Sequence, residues 1–398
     1  MGGAKPLGDG EGTGGGGGKR WRNRRFGLFG GTWHHAGMSS PLTDLFPHPI
    51  VQAPMAGGVS VPRLAAAVSD AGGLGFLAAG YKTADGLYQE IKQIRGLTSR
   101  PFGVNLFLPQ PEYGDPATVE VYAHQLAGEA AWYATELGDR DSGRDDGYEA
   151  KLAVLLDNPV PVVSFHFGTP GRDTVDALHR VGTFVLATAT TAEEALAVRE
   201  CGADAVIAQG VEAGGHQGTH RDTPENDGTG IGLLALLARI RETIPLPVLA
   251  AGGLMRGSQI AAVLAAGASA AQLGTAFLAT DESGAHRLHK QALTDPLFVR
   301  TELTRAFSGR PARALVNRFL REHGRYAPAA YPEVHHLTSP LRRAAAAAGD
   351  AQGMALWAGQ GHRLARALPA GQLVELLVAE LDTAAAALPS HPAGGTHR

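Results

Sequence analysis

The sequence predicts an α/β fold, a (β/α)8 barrel with an additional mainly helical C-terminal region, on three observations. Eight short apolar runs alternate with helix-forming segments, at residues 48–55, 73–79, 102–108, 160–167, 183–189, 204–209, 246–251 and 268–273. The segments between them, such as 62–71, 192–201, 233–241 and 258–266, are rich in Ala and Leu and suit crossover helices of a parallel sheet. An open doubly wound sheet alternates in the same way, so the ends of the runs decide between the two. They carry Met55-Ala56-Gly57-Gly58, Asn105, His166-Phe167-Gly168, Gln209, Gly252-Gly253 and Gly274-Thr275. A barrel gathers all of these at its C-terminal face, where such folds keep their chemistry.

Two stretches exceed a plain unit: residues 110–159, acidic and helical in pattern, and residues 300–380, expected to form a helical cap over the substrate side of a barrel spanning 44–299. The runs Ala344 to Ala348 and Ala384 to Ala387 read as ordinary surface helices, and 381–398 as a flexible tail. At the other end, residues 1–37 hold a glycine run followed by Lys19, Arg20, Arg22, Arg24 and Arg25, with no apolar stretch behind them. This is a disordered Gly/Arg-rich tail rather than a secretory signal, and Met38 is a candidate true start.

Composition bounds the function. The 398 residues carry a net charge of −3, so neither nucleic acid nor anionic lipid is an expected partner. Gly occurs 54 times, about twice the usual share, which calls for many tight turns and close backbone approaches. The single cysteine, Cys201, excludes an intrachain disulfide and a CxxC zinc site, and fits a cytoplasmic protein. No run is long and apolar enough to span a membrane. The G-x-S-x-G elbow, the Walker A loop and a G-x-G-x-x-G after the first strand are absent, which argues against a serine hydrolase, ATP chemistry and an ordinary NAD domain.

Two loops could hold a phosphate. Ala250-Ala251-Gly252-Gly253 ends the seventh run and Gln272-Leu273-Gly274-Thr275-Ala276 the eighth, where barrels often bind phosphate on backbone N–H groups; on spacing alone they are equally well ordinary tight turns. A third loop, from Gln209 through Glu212-Ala213-Gly214-Gly215-His216 to Gly218, sets one histidine among glycines just beyond a buried strand. His216 is thereby a candidate proton carrier or anion binder, against the plainer reading that it braces the loop. His34-His35 and His335-His336 lack metal-ligand spacing, and His286 and His289 have no carboxylate motif beside them. All six are read as structural or exposed, and no metal is expected.

Taken together, Gln52-Ala53-Pro54-Met55-Ala56-Gly57-Gly58, Phe102-Gly103-Val104-Asn105, Ser164-Phe165-His166-Phe167-Gly168, Ala187-Thr188-Ala189-Thr190-Thr191, Glu212-Ala213-Gly214-Gly215-His216 and Gln272-Leu273-Gly274-Thr275 resemble the nitronate monooxygenases. The resemblance runs over about 44–375 and includes Ser308-Gly309-Arg310-Pro311-Ala312-Arg313 and Leu356-Trp357-Ala358-Gly359-Gln360. It implies an FMN-containing TIM barrel that oxidises alkyl nitronates, such as propionate 3-nitronate, with O2 to a carbonyl compound and nitrite. By motif match, Gly252, Gly253, Gly274 and Thr275 would hold the FMN phosphate, with Gly214 close to the cofactor and Gln272 in the same binding set. Asn105 and Gln209 would bond polar edges of the ring and Met55 would pack near it. His216 would sit over the flavin face, near its ordinary pKa, donating a hydrogen bond to the nitronate. The same loops also resemble FMN-dependent enoyl-ACP reductases, although Gln209 stands where an acidic residue would be expected there, and a related NADH:quinone reductase group shares the barrel. A flavin- or ligand-binding protein without turnover is the third reading. Phe107, Phe165, Phe167, Tyr326 and Tyr331 are candidates for setting substrate size. The oligomeric state is not legible in the sequence.

Overall fold

In the computed structural model the described residues are Met1, 42–110, 114–223 and 230–387. All but the first belong to one compact unit, Ser40–Arg398. The Gly/Arg-rich tail and the candidate start at Met38 lie outside them. Each of the eight apolar runs contains one barrel strand. They begin with β1 (Ile50–Gln52), β2 (Gly75–Ala78), β3 (Phe102–Phe107), β4 (Val162–His166), β5 (Phe184–Ala189) and β6 (Ala205–Gln209). The chain then leaves the barrel for the two-residue strand β7 (Gly215–His216), and β8 (Val248–Ala251) and β9 (Ala270–Leu273) complete the sheet. The order β1-β9-β8-β6-β5-β4-β3-β2 is parallel throughout. It closes on itself through the parallel bridge between Val51 and Leu74, where Leu74 N donates to Ile50 O and Gln52 N to Leu74 O, each at 2.9 Å.

Strand alternation builds the interior in layers. Val51, Phe76, Val162, Leu186, Ile207, Leu249 and Ala270 form an apolar plug, with Leu42 and Phe46 packed on it. Two residues further along the same strands come Ser164, Thr188, Gln209 and Gln272, with Asn105 two beyond Gly103. The period of two that buries the plug therefore also places a polar ring above it. The outward-facing residues, among them Leu77, Val104, Phe165, Val185 and Val206, pack against the surrounding helices.

Sterics explain the small residues. Helix Pro62–Asp70 starts with Pro at its first turn and lies so close to β2 that a Cβ on Gly75 would come within 2.0 Å of Ala65 O. On the inner face, a Cβ on Gly103 would meet the Phe76 ring at 2.3 Å.

Beyond the barrel the structure departs from the expected helical cap. Thr301–Thr304 (β10) and Ala312–Leu315 (β11) are strands, joined antiparallel, and β11 pairs with β7 to make a three-stranded sheet. Periodicity missed them because strands of four residues, β11 buried throughout and β10 mostly half-buried, are too short to show an alternating pattern. Helix Glu333–Ala347 contains the first alanine run but is no plain surface helix, since it buries Val334, Leu337, Leu341 and Ala345. Helix Ala370–Ala387 packs with Gly257–Ala265 and continues through 381–387, where a tail was expected. Its remainder, 388–398, lies outside the described residues.

Two glycine substitutions test this packing. Gly75→Ala should cost about 1–3 kcal/mol, because backbone must give way. Gly96→Ala, on the exposed face of helix Ala84–Leu97 with nothing within 4 Å of its Cβ, should gain up to about 1 kcal/mol. Urea midpoints read both, and an unchanged midpoint for Gly75→Ala would contradict the close approach.

Candidate active site

A cavity of about 220 Å³ opens at the C-terminal face of the barrel. Met55, Asn105, Gln209, Gly214, His216, Gly252, Gly253, Gln272, Gly274 and Thr275, scattered over more than half the sequence, all line it.

At one end the chain approaches itself closely. Gly252 and Gly253 have φ of 143° and 66°, which a residue with a side chain adopts only under strain. A Cβ on Gly214 would lie 2.5 Å from Gly359 N, so the C-terminal segment Trp357-Ala358-Gly359 can cross here only because glycines meet. Gly359 N donates to Thr275 Oγ1 at 2.9 Å and Gln360 N to Glu212 O at 3.0 Å. Glu212 itself caps the next helix, both carboxylate oxygens accepting from Leu233 N.

The amides of the polar ring are unequally engaged. Asn105 Nδ2 donates to Ser164 O and Oγ. Gln209 was expected to meet a cofactor ring, yet both ends of its amide hold the glycine loop: Nε2 donates to His216 O at 3.0 Å and Oε1 accepts from Gly218 N at 2.7 Å. Gln272 Oε1 is buried and has no hydrogen-bond partner among the described residues. An orphaned acceptor beside a glycine-lined cradle suits a ligand that brings N–H groups and a phosphate.

His216 stands on β7, in register with Ala312 of β11. Its Nε2 lies 2.9 Å from Ser308 Oγ, and Phe167, Tyr331 and Trp357 enclose the ring at centroid distances of 5.7, 5.6 and 5.4 Å. Burial, then the charge of Arg310, then His166 and Arg342, hold its pKa well below 6.5. It is therefore a neutral imidazole at physiological pH, not the histidine of ordinary pKa that the motif suggested. His166 is pushed to about 3 by burial and by Arg310, and its Nδ1 lies 3.0 Å from Thr188 Oγ1.

Several contributors were not among the expected site residues. His335, read as structural or exposed, lines the cavity and stacks on Tyr81 at 3.9 Å. His289 also lines it and positions the crossing segment, its Nε2 2.9 Å from Trp357 O. His336 flanks a smaller neighbouring cavity, His286 caps its own helix by accepting from Leu288 N, and His34 and His35 lie outside the described residues. Of the proposed size-setting aromatics, Phe107, Phe167 and Tyr331 form one cluster, Phe165 faces the helices and Tyr326 is exposed. Two arginines bear on the cavity, Arg342 in its wall and Arg310 behind it. Arg310 is fully buried, lies 4.1 Å from the Phe167 ring centroid and donates to Gln110 and Thr219. Arg342 comes from helix Glu333–Ala347. Burial lowers each to about 10, which leaves both cationic at neutral pH, and neither has a carboxylate within 4 Å among the described residues. Arg310 falls in a motif of the resemblance but was given no role there, and Arg342 lies far from the barrel motifs.

Buried neutral histidines make stability pH-dependent. His166, His216, His289 and His335 are all held below 6.5, first by burial. The unfolded chain takes up protons at these sites below ~6.5 while the folded chain does not, so the stability they contribute is present above that pH and lost as pH falls, by up to ~1.4 kcal/mol per unit for each. The melting temperature should drop between pH 7 and 5; a flat or rising profile would refute the burial of these rings.

Comparison with known proteins places this geometry. The family model for nitronate monooxygenase matches residues 39–380. A nitronate monooxygenase of Pseudomonas aeruginosa is 46% identical over 341 residues, covering 84% of this chain and 96% of that one, and one of Paraburkholderia phytofirmans is 42% identical over 339 residues, covering 84% and 92%. Among solved structures, a nitroalkane oxidase from Streptomyces ansochromogenes is 78% identical with a TM-score of 0.86, covering 87% of this chain and 99% of that one. FabK from Thermotoga maritima shares the barrel at 30% identity and a TM-score of 0.67, covering 87% and 97%. The chain belongs to the nitronate monooxygenase family, an oxidoreductase family of flavoenzymes.

Proposed function

We propose that this chain is an FMN-dependent nitronate monooxygenase, oxidising alkyl nitronates such as propionate 3-nitronate with O2 to a carbonyl compound and nitrite. The observation that carries the reading is the charge at the cavity: a neutral histidine, the buried guanidinium of Arg342 in the wall and that of Arg310 behind it, neither guanidinium in an ion pair among the described residues. Such a site favours an anion over a neutral or cationic substrate. The identity of 78% to a nitroalkane oxidase, against 30% to FabK, favours it over a reductase.

The bound flavin would supply the electron transfer that no side chain here can perform. Residues 44–299 would hold it. Gly252, Gly253, Gly274 and Thr275 would take the phosphate, Gly214 would allow close approach, and Gln272 Oε1 would accept from a ring N–H. Met55 would pack near the ring and Asn105 would meet its polar edge. Residues 300–380 supply the substrate side, through Ser308, Arg310, Tyr331, His335 and Arg342. No helix among the described residues is long and apolar enough to cross a membrane; that and the single cysteine support a cytoplasmic enzyme whose partners are a small nitronate and O2.

His216 has two proton arrangements. When Ser308 donates to Arg310 O, at 3.3 Å, its oxygen accepts from His216 Nε2–H and leaves a lone pair on Nδ1. When Ser308 turns its proton to Nε2, His216 carries its own on Nδ1 and can donate to a nitronate oxygen. One imidazole can thus steady an anionic nitronate or draw the carbon proton from a neutral nitroalkane, with the hydroxyl selecting between them.

The purified protein should show oxidised flavin bands, consume oxygen and release nitrite on adding propionate 3-nitronate, and not bleach with NADH; bleaching without a nitronate response would move it to the reductases. His216→Ala should keep the flavin and lose about 10²-fold or more of its turnover, and parental activity would overturn the role given to His216. Ser308→Ala should slow neutral nitroalkanes more than nitronates. Because burial holds the pKa of His216 well below 6.5, kcat/KM for the nitronate should show no break near 6.5; a break there would contradict its buried, neutral state.

A further inference from the structure

The geometry points to a second anion subsite in the cavity, at Arg342, that takes a carboxylate carried on the tail of the nitronate. This rests on the nitronate reading and goes beyond it by naming the residue that recognises the second charge of a nitronate such as propionate 3-nitronate.

Arg342 is anchored through two of its three nitrogens, entirely by neutral acceptors. Nε donates to Thr338 Oγ1 at 3.1 Å, and Nη2 to Ser339 Oγ at 2.7 Å, His335 O at 2.9 Å and His335 Nδ1 at 3.3 Å. Nη1 has no hydrogen-bond partner among the described residues, although Arg342 lines the cavity. The guanidinium is thus held rigid from behind, with one nitrogen left for something else. A buried guanidinium without a counter-charge is destabilising unless an anion completes it.

No carboxylate among the described residues supplies that anion. The carboxylate beside this wall, Asp146, is engaged on both oxygens: Oδ2 with Lys151 Nζ at 2.7 Å, and Oδ1 with Tyr81 N at 2.8 Å. That second bond holds Tyr81 at φ 66°, with its ring on His335 and its hydroxyl 3.2 Å from that of Tyr331. Asp146 therefore fixes the wall and leaves the charge of Arg342 unanswered.

Contacts lead from one anion-handling group to the other. The His216 ring touches Tyr331 at 5.6 Å, Tyr331 lies 6.4 Å from His335, and His335 bonds Arg342. A nitronate seated at His216 would extend along the Tyr331 and Tyr81 rings, with its carboxylate against Nη1.

The test compares Arg342→Met and Arg342→Lys with the parent, on propionate 3-nitronate and on the nitronate of 1-nitrobutane, which has similar length and no second charge. Arg342→Met should raise KM for propionate 3-nitronate about 10- to 100-fold, the worth of one charge-assisted hydrogen bond. The KM for 1-nitrobutane nitronate, which has no group to place at Nη1, should rise at least about fivefold less, and Arg342→Lys should recover part of the loss on propionate 3-nitronate. Equal loss on both substrates, no change on either, or release of the flavin would overturn the subsite. Calorimetric titration with butyrate reads the subsite without turnover. Weaker binding to Arg342→Met than to the parent supports it even if the parent oxidises no nitronate, whereas equal binding overturns it.

Discussion

The site hangs on the loop between β6 and β8, and that loop hangs on one side-chain amide. Gln209 ends a barrel strand and clamps the carbonyl of His216 and the N–H of Gly218 at once, turning the intervening residues back over the mouth. What the clamp begins, β7 completes by pairing with β11, with Gln217 N donating to Pro311 O at 2.8 Å and Arg313 Nε to Val211 O at 2.8 Å. The far end is tied back to the barrel by Glu194, whose two oxygens take His220 N and Thr190 N. Without these bonds the loop would be a glycine-rich surface turn, and His216 would face water at an ordinary pKa.

From that enclosure the electrostatics follow. Aromatic rings on three sides exclude water, so His216 is neutral and the fields of Arg310 and Arg342 act at close range in a medium of low dielectric. Arg310 reaches this position because its guanidinium is tied to groups on either side of the mouth, Gln110 after β3 and Thr219 beyond β7. The residues that give the cavity its charge are therefore also braces between the barrel and the region beyond it.

Much of the barrel was legible because its signals are local. A strand is an apolar run of a certain length, and a close approach of backbone requires glycine, as at Gly75, Gly252 and Gly253. The ten residues singled out at the loop ends converge for the same reason: in a parallel barrel every strand ends at one face, so order along the chain translates into place in the structure. The strands β10 and β11 were not legible, since β11 is held by pairing with β7, a segment some hundred residues earlier, and β10 only adds to β11.

The sequence by itself thus determined the barrel, the face that carries the chemistry and the glycine loops at its mouth, because periodicity and steric demand are properties of a few neighbouring residues. Only the tertiary structure decided the protonation state of His216, the engagement of Gln209 with its own loop, the entry of His335 and Arg342 into the wall, and the place of Arg310 behind it. Charge, burial and hydrogen-bond partners are set by what lies across the cavity, and those neighbours come from parts of the chain that no local pattern connects.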